Sequence, residues 1–233
     1  MVVPAAGGDA VGMPGPIRVL VVDDHPAVRA GLLSMLGDEP GIEPAGAAAS
    51  AAEAHEAWLA ASDRVDVVLA DYHLPDEDGL SLCLWLKSAD APPAVIIYSA
   101  FADETLGLPA VVAGADGLVG KSTDPVEVSE VVRAVAAGER RLPPVSHPVA
   151  ADLGARLAAG DLPILGMLRH GVPAADIAGT LGIEPSVVAT RRWAMLEELL
   201  AAPERLEERR FDLPDHVIRS RSLPRAITSP ARS

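Results

Sequence analysis

Ile17-Arg18-Val19-Leu20-Val21-Val22-Asp23-Asp24 sets an apolar, β-branched run directly before two acids. A run broken only by Arg18 reads as a strand buried on both faces. Val65-Asp66-Val67-Val68-Leu69-Ala70-Asp71 repeats the pattern and again ends on an acid. Ala94-Val95-Ile96-Ile97-Tyr98-Ser99 ends on a hydroxyl, and a short strand around Gly117 to Gly120 ends beside Lys121. Helical spacing separates these runs at Pro26 to Leu36, Ser50 to Ala61, Gly79 to Lys87, Pro109 to Ala113 and Pro125 to Ala137. Pro26 and Pro125 suit a first helical turn, and Ser50 with Glu53 three residues on forms a capping box. Strands alternating with helices predict an α/β domain built on a doubly wound parallel sheet. Function in such sheets gathers at the carboxyl ends of the strands, and here those ends carry Asp23, Asp24, Asp71, Ser99 and Lys121.

The whole chain has 233 residues, of which 49% are apolar and 22% charged, a composition that can build a core. No apolar run approaches the ~18 residues needed to cross a bilayer, so no membrane partner is expected. The first residues lack the basic start and apolar centre of a secretory signal. Cys83 stands alone, and no Cys/His cluster offers a zinc site. These features predict a cytoplasmic protein. Charge divides unevenly: through His147 there are 8 Lys and Arg against 22 Asp and Glu, and beyond it 11 against 11. An acidic first part repels nucleic acid, so any DNA contact falls to the second. Aromatics at 3% argue against stacking platforms for sugars or single strands.

Residues 1–16 read as disordered, 17–138 as the α/β domain and 139–153, with Leu142-Pro143-Pro144, as a linker. Residues 154–202 read as a small all-α unit with helices over Asp161 to Arg169, Ala174 to Leu181 and Pro185 to Leu200. Ile177, Leu181, Val188, Met195 and Leu199 fall on its inward faces. The charged, Arg-, Ser- and Pro-rich stretch over 203–233 reads as a disordered tail. Cys83, among Leu82, Leu84 and Leu86, reads as a core thiol. His25, His55, His147 and His170 show no ligand spacing and read as surface residues.

Three carboxylates at one sheet edge repel one another, by about 3 kcal/mol per pair at ~5 Å and an effective dielectric of 20. A hard divalent cation resolves this, because Mg²⁺ favours oxygen ligands and keeps waters that a phosphate oxygen can replace. Lys121 supplies a fixed positive charge for a second phosphate oxygen, and the Ser99 hydroxyl donates to a third. A carboxylate in such a site can attack phosphorus as a nucleophile.

The segments Val21-Val22-Asp23-Asp24-His25-Pro26, Val68-Leu69-Ala70-Asp71-Tyr72-His73-Leu74-Pro75 with Asp78-Gly79, Tyr98-Ser99-Ala100, and Gly114-Ala115-Asp116-Gly117 leading to Lys121 resemble the receiver domain of bacterial two-component response regulators. The resemblance covers roughly Ile17 to Arg141 and implies a five-stranded sheet. It makes Asp71 the phosphoacceptor, and Asp24, Asp71 and the His73 carbonyl the Mg²⁺ ligands. Asp23 assists from the acid pocket, and Ser99 with Lys121 binds the phosphoryl group. A histidine kinase is the implied donor. Two departures stand out. Leu118 replaces the aromatic that relatives often carry three residues before the lysine, and Pro109 is expected to break or shorten the helix before the last strand. His73 and Phe101 occupy positions that flank the water path to the phosphoryl group in relatives, and bulky Phe101 is expected to slow hydrolysis.

Asp161 to Leu200, with Ala175-Asp176-Ile177-Ala178-Gly179-Thr180-Leu181-Gly182-Ile183 at its turn, resembles the LuxR-type helix-turn-helix of NarL/FixJ response regulators. That resemblance implies transcription control by a homodimer on double-stranded DNA. Thr190, Arg191 and Arg192 are the candidate DNA contacts, the arginines for phosphate or guanine and Thr190 for a base edge. Ala189 stands where relatives commonly place a lysine, and Glu197 and Glu198 would repel phosphates. The alternative is therefore a phosphorylation-dependent protein-interaction regulator whose helix-turn-helix does not bind DNA, with Trp193 as an apolar anchor. No nucleotide loop or dedicated base suggests a stand-alone kinase or phosphatase, so the chain is not expected to be an enzyme.

Overall fold

The computed structural model describes residues 15–61 and 65–201. The disordered N-terminus and tail expected from sequence fall outside them, apart from Gly15 and Pro16. Five strands, β1 (Ile17–Val22), β2 (Ile42–Ala48), β3 (Val67–Asp71), β4 (Ala94–Ser99) and β5 (Gly117–Gly120), form one parallel sheet in the order β2-β1-β3-β4-β5. Helices α1 (Pro26–Gly37), α2 (Ala51–Ala61), α3 (Gly79–Leu86), α4 (Glu104–Ala113) and α5 (Pro125–Ala136) connect and follow them. Consecutive strand residues face opposite sides, so the apolar runs feed two cores. Val19, Val21, Leu69, Ile96 and Val119 meet Leu32 and Leu36 of α1 and Val128, Val132 and Val135 of α5. Leu20, Val22, Val68, Ala70, Val95 and Ile97 fill the other side with α2, α3 and α4.

β2 is the strand that apolar patterning does not pick out. Its sequence, Ile42-Glu43-Pro44-Ala45-Gly46-Ala47-Ala48, carries a proline without an amide hydrogen and a glycine. The edge position tolerates both: the register jumps from Val19↔Pro44 to Leu20↔Gly46, leaving Ala45 as a bulge. Half of the expected capping box forms: Glu53 N donates to Ser50 Oγ at 3.1 Å, while the Glu53 carboxylate accepts from Ala49 N at 2.7 Å, one residue before the cap.

Pro109 does not break α4. The helix runs from Glu104 to Ala113, with Asp103 capping its start by accepting from Thr105 N. One proline removes one amide donor, and burial of every residue from Leu106 to Ala113 holds the rest of the helix.

Residues 139–153 are more than a linker. Leu118 N donates to Arg141 O and Arg141 N to Asp116 O, so the chain leaves α5 by pairing beside β5. It then forms α6 (His147–Gly154). The helical region that follows comprises α7 (Leu162–Arg169), α8 (Ala174–Leu181) and α9 (Pro185–Leu200), close to the bounds read from sequence. Ile177, Val188, Met195 and Leu199 are buried, whereas Leu181 is 37% exposed and not a core residue. α4 packs against α6, α7 and α9, which merges the core of the helical region with one side of the sheet. Among the described residues no helix is long and apolar enough to cross a membrane.

Candidate functional site

β1, β3 and β4 are parallel and in register, so their last residues emerge side by side at one sheet edge. Asp23 follows β1, Asp71 ends β3 and Ser99 ends β4, and all three are buried. Lys121, one residue past β5, closes the group. Its Nζ donates to Asp23 Oδ2 and to Asp71 Oδ2, each at 2.8 Å. Burial alone would lower the lysine pKa, but the two carboxylates override it and hold the ammonium charged above its usual range. Burial pushes the Asp71 carboxyl upward, reinforced by the Asp23 charge and opposed by Lys121 and the His73 amide. Lys121 therefore offsets part of the upward push that burial gives this carboxyl.

Local backbone geometry fixes these acids. His73 N donates to Asp71 Oδ1 at 3.2 Å, and His25 N to Asp23 Oδ1 at 2.8 Å. Asp78 caps α3 by accepting from Ser81 N at 2.8 Å. Gly79 then passes so close to β3 that a Cβ there would lie 2.2 Å from the Asp71 carbonyl oxygen, which explains the glycine. Ser99 Oγ accepts from Phe101 N at 3.1 Å, and Lys121 N donates to Ser99 O at 2.8 Å.

Asp23, Asp24, His25 and Asp71 each offer one ligand atom within 4.8 Å of the others. Three carboxylates against one lysine leave the edge negative, and this donor set fits the acidic Mg²⁺ pocket of a receiver. Sequence reasoning passed over two contributors. Arg29 Nη1 donates to the Asp23 carbonyl at 2.5 Å, and Tyr98 lies under Lys121, whose Nζ is 5.6 Å from the ring centroid. Their spacing from the acids, six residues and one strand respectively, carries no signal without the fold. His25 is on the surface as expected, yet it belongs to this ligand-bearing group. His55 is half-buried and not fully at the surface: its ring lies 4.1 Å from that of Trp85 between centroids, tilted by 40°, with Nε2 buried.

The three α9 residues expected to contact DNA are all engaged within the chain. Arg192 is 6% exposed and its Nε donates to the Val112 carbonyl of α4 at 2.9 Å. Arg191 Nη1 bonds Gly160 O at 2.8 Å and Asp161 Oδ1 at 3.0 Å, and Thr190 Oγ1 donates to Ser186 O at 2.9 Å. Trp193 is 39% exposed.

A five-stranded parallel sheet with three acids, a hydroxyl and a lysine at its carboxyl edge has the form of a receiver domain. Residues 19–133 match the family model of the response regulator receiver domain. The response regulator UvrY of Escherichia coli is 30% identical over 196 residues, spanning 78% of this chain and 88% of that protein. The DNA-binding transcriptional activator DevR/DosR of Mycobacterium tuberculosis is 37% identical over 141 residues, covering 60% of this chain and 63%, just under two thirds, of its own length. A crystal structure of a LuxR-family two-component response regulator from Aurantimonas sp. SI85-9A1 superposes with a TM-score of 0.52 at 30% identity, over 60% of this chain and 97% of that one. The chain belongs to the two-component response regulators, with the organisation of a transcription regulator: receiver first, helical region second.

Proposed function

We propose that Asp71 accepts a phosphoryl group from the phosphohistidine of a partner kinase in the cytoplasm. The P–N bond of the donor breaks as a carboxylate oxygen of Asp71 bonds phosphorus, and the donor imidazole, protonated on its other ring nitrogen beforehand, keeps the P–N electron pair and leaves as a neutral ring. Lys121, already 2.8 Å from Asp71, neutralises charge on the transferred group, and Ser99 donates its hydroxyl to it. Asp24, Asp71 and the His73 carbonyl hold Mg²⁺, with Asp23 assisting. When bound, that ion offsets charge between the acids and the phosphoryl oxygens. The single observation that carries this reading is the Lys121 ammonium shared between Asp23 and Asp71.

The output is transcription control through the helical region over 154–202, acting as a homodimer on double-stranded DNA. Thr190, Arg191 and Arg192 are its contacts once α9 leaves α4. A path for that release runs along the chain. When Ser99 turns to the phosphoryl group it gives up Phe101 N, and this loop leads to Asp103, the cap of α4. The far end of α4 holds Arg192. About two added negative charges on Asp71 thus bias a packing equilibrium between docked and released states. Burial of Arg192 and the acids Glu197 and Glu198 favour a second reading, in which the region binds a protein through Trp193.

Acetyl phosphate labelling of the chain and of Asp71→Asn tests the acceptor, and label retained by Asp71→Asn would refute it. DNA binding with beryllofluoride over a salt series separates the two outputs. Salt-sensitive binding in the beryllofluoride state supports DNA control, and absence of binding at low salt in both states supports the protein partner.

A further inference from the structure

We propose that Tyr98 is a positioning residue for phosphoryl transfer, its ring face holding the Lys121 ammonium in the bridge between Asp23 and Asp71. The inference rests on reading Asp71 as the phosphoacceptor and concerns what keeps its lysine in place. β4 lies between β3, which ends on Asp71, and β5, which leads to Lys121. The lysine side chain must therefore cross β4 to reach the acid. Tyr98 is the β4 residue in register with Asp71 on one side and with Val119 on the other. Lys121 Nζ stands 5.6 Å from its ring centroid, inside the ~6 Å reach of a cation–π attraction. The Tyr98 hydroxyl donates to the Lys121 carbonyl at 3.4 Å, so the same side chain meets both ends of the lysine.

A lysine ammonium sits on a flexible four-carbon stem, and holding it in one place costs rotamer entropy. Asp23 Oδ2 and Asp71 Oδ2 each accept from Nζ at 2.8 Å, which fixes its distance to the acids. A ring face attracts the charge as a whole, so it steadies the ammonium without replacing either carboxylate bond. Tyr98 is itself buried in the core that the sheet shares with α1 and α5, and its carbonyl accepts from Tyr72 N at 3.0 Å. The ring is thus the fixed partner and the lysine the movable one. An ammonium already in place beside Asp71 meets the incoming phosphoryl group without first being ordered, which raises the rate of transfer.

The test uses the full chain, its Tyr98→Leu, Tyr98→Phe and Lys121→Ala variants and the Tyr98→Leu/Lys121→Ala double variant, with acetyl phosphate as donor. Tyr98→Leu is expected to slow labelling about tenfold, and Tyr98→Phe, which keeps the ring face, to recover most of the rate. In the Lys121→Ala background Tyr98→Leu should change the rate by less than about twofold, because a residue acting through the ammonium has nothing left to hold. Fluorinated phenylalanines placed at position 98 keep the ring's outline while draining negative charge from its face. The labelling rate should fall with each added fluorine, a readout that stands even where Tyr98→Leu does not fold. Equal losses from Tyr98→Leu with and without Lys121, or a rate indifferent to fluorination, overturn the proposal while leaving Asp71 as the acceptor. Label that persists in Asp71→Asn, measured alongside, overturns the acceptor reading and the proposal with it.

Discussion

Arg192 of α9 donates through Nε to the Val112 carbonyl of α4, across 80 residues of sequence. Val112 is two residues from Gly114, the left-handed cap that ends α4, so the guanidinium satisfies a carbonyl at the helix terminus. Arg140 makes the corresponding contact at the end of α7, donating to Leu168 O at 3.1 Å. Helix ends on both sides of the contact are thus closed by arginines from elsewhere in the chain. Burial holds the Arg192 pKa below its usual value without removing its charge, because guanidinium titrates far above neutrality. The helix expected to read DNA is held by α4, the helix that follows Ser99 at the acidic sheet edge.

Removing Arg192 should loosen that contact. A hydrogen bond from a charged donor contributes about 1.5–3 kcal/mol, so Arg192→Ala is expected to raise amide exchange in α4 and α9 by tenfold or more. Gly114→Ala attacks the same joint from the other side. Its Cβ would lie 2.5 Å from Arg192 Nη2, in a backbone conformation with φ +79° that suits glycine. Matching exchange increases in the two variants support the latch. Unchanged protection in α9 in both would show that the arginine contributes nothing to docking.

Gly79→Ala should damage the site without touching a charged group. A Cβ 2.2 Å from the Asp71 carbonyl cannot be accommodated unless the β3–α3 loop moves. Overpacking of this kind destabilises by about 1–3 kcal/mol, and the displaced strand end carries Asp71, the proposed phosphoacceptor. Thermal unfolding should shift downward, and acetyl phosphate labelling of the protein that remains folded should slow.

Glu77 gives a pH signature. Its Oε1 lies 3.4 Å from His55 Nε2, and both atoms are buried without a hydrogen-bond partner among the described residues. Burial, then the charges of Asp78 and Asp76, push its carboxyl from 4.5 up to about 7. The folded chain thus holds a proton that the unfolded chain has released, and the associated stability is lost as pH rises through 7. His55, lowered by burial against the pull of Asp76, has the opposite trend below its ordinary 6.5. Between pH 6.5 and 8 the Glu77 effect governs, with a loss of about 1 kcal/mol. Urea midpoints of Glu77→Gln should lack that decline, and a variant that still declines in parallel with the unaltered chain would remove Glu77 as its source.

β1, β3 and β4 were legible because both faces of each are largely buried, which favours apolar, β-branched runs; β5 was legible as a short strand ahead of Lys121. β2 was not, since an edge strand can carry Pro44, Gly46 and exposed positions and still pair through one side. The acids, Ser99 and Lys121 were legible because parallel strands bring their carboxyl ends together whatever lies between. The burial of Arg192 was hidden for the converse reason. It depends on how α9 meets α4, and no local pattern in either helix encodes that contact. Pro109 misled because helix propensity is local, while α4 is held by burial on all sides.

Phe101 links the site to the lifetime of its signal. Its amide is bound to Ser99 Oγ, and its side chain is 48% exposed at the start of the β4–α4 loop. A half-exposed ring two residues beyond Ser99, the hydroxyl proposed to bind the phosphoryl group, is expected to restrict the approach of water to an aspartyl phosphate at Asp71. Hydrolysis needs that water in line with the P–O bond, so shaving the ring to a methyl group opens the approach. Phe101→Ala is expected to shorten the phosphoryl lifetime on the order of threefold, a barrier change of about 0.7 kcal/mol. The decay of labelled protein after removal of acetyl phosphate measures it directly. Phe101→Leu, which keeps most of the bulk, should fall between the two, whereas equal lifetimes in all three proteins would mean that the ring does not guard the water path.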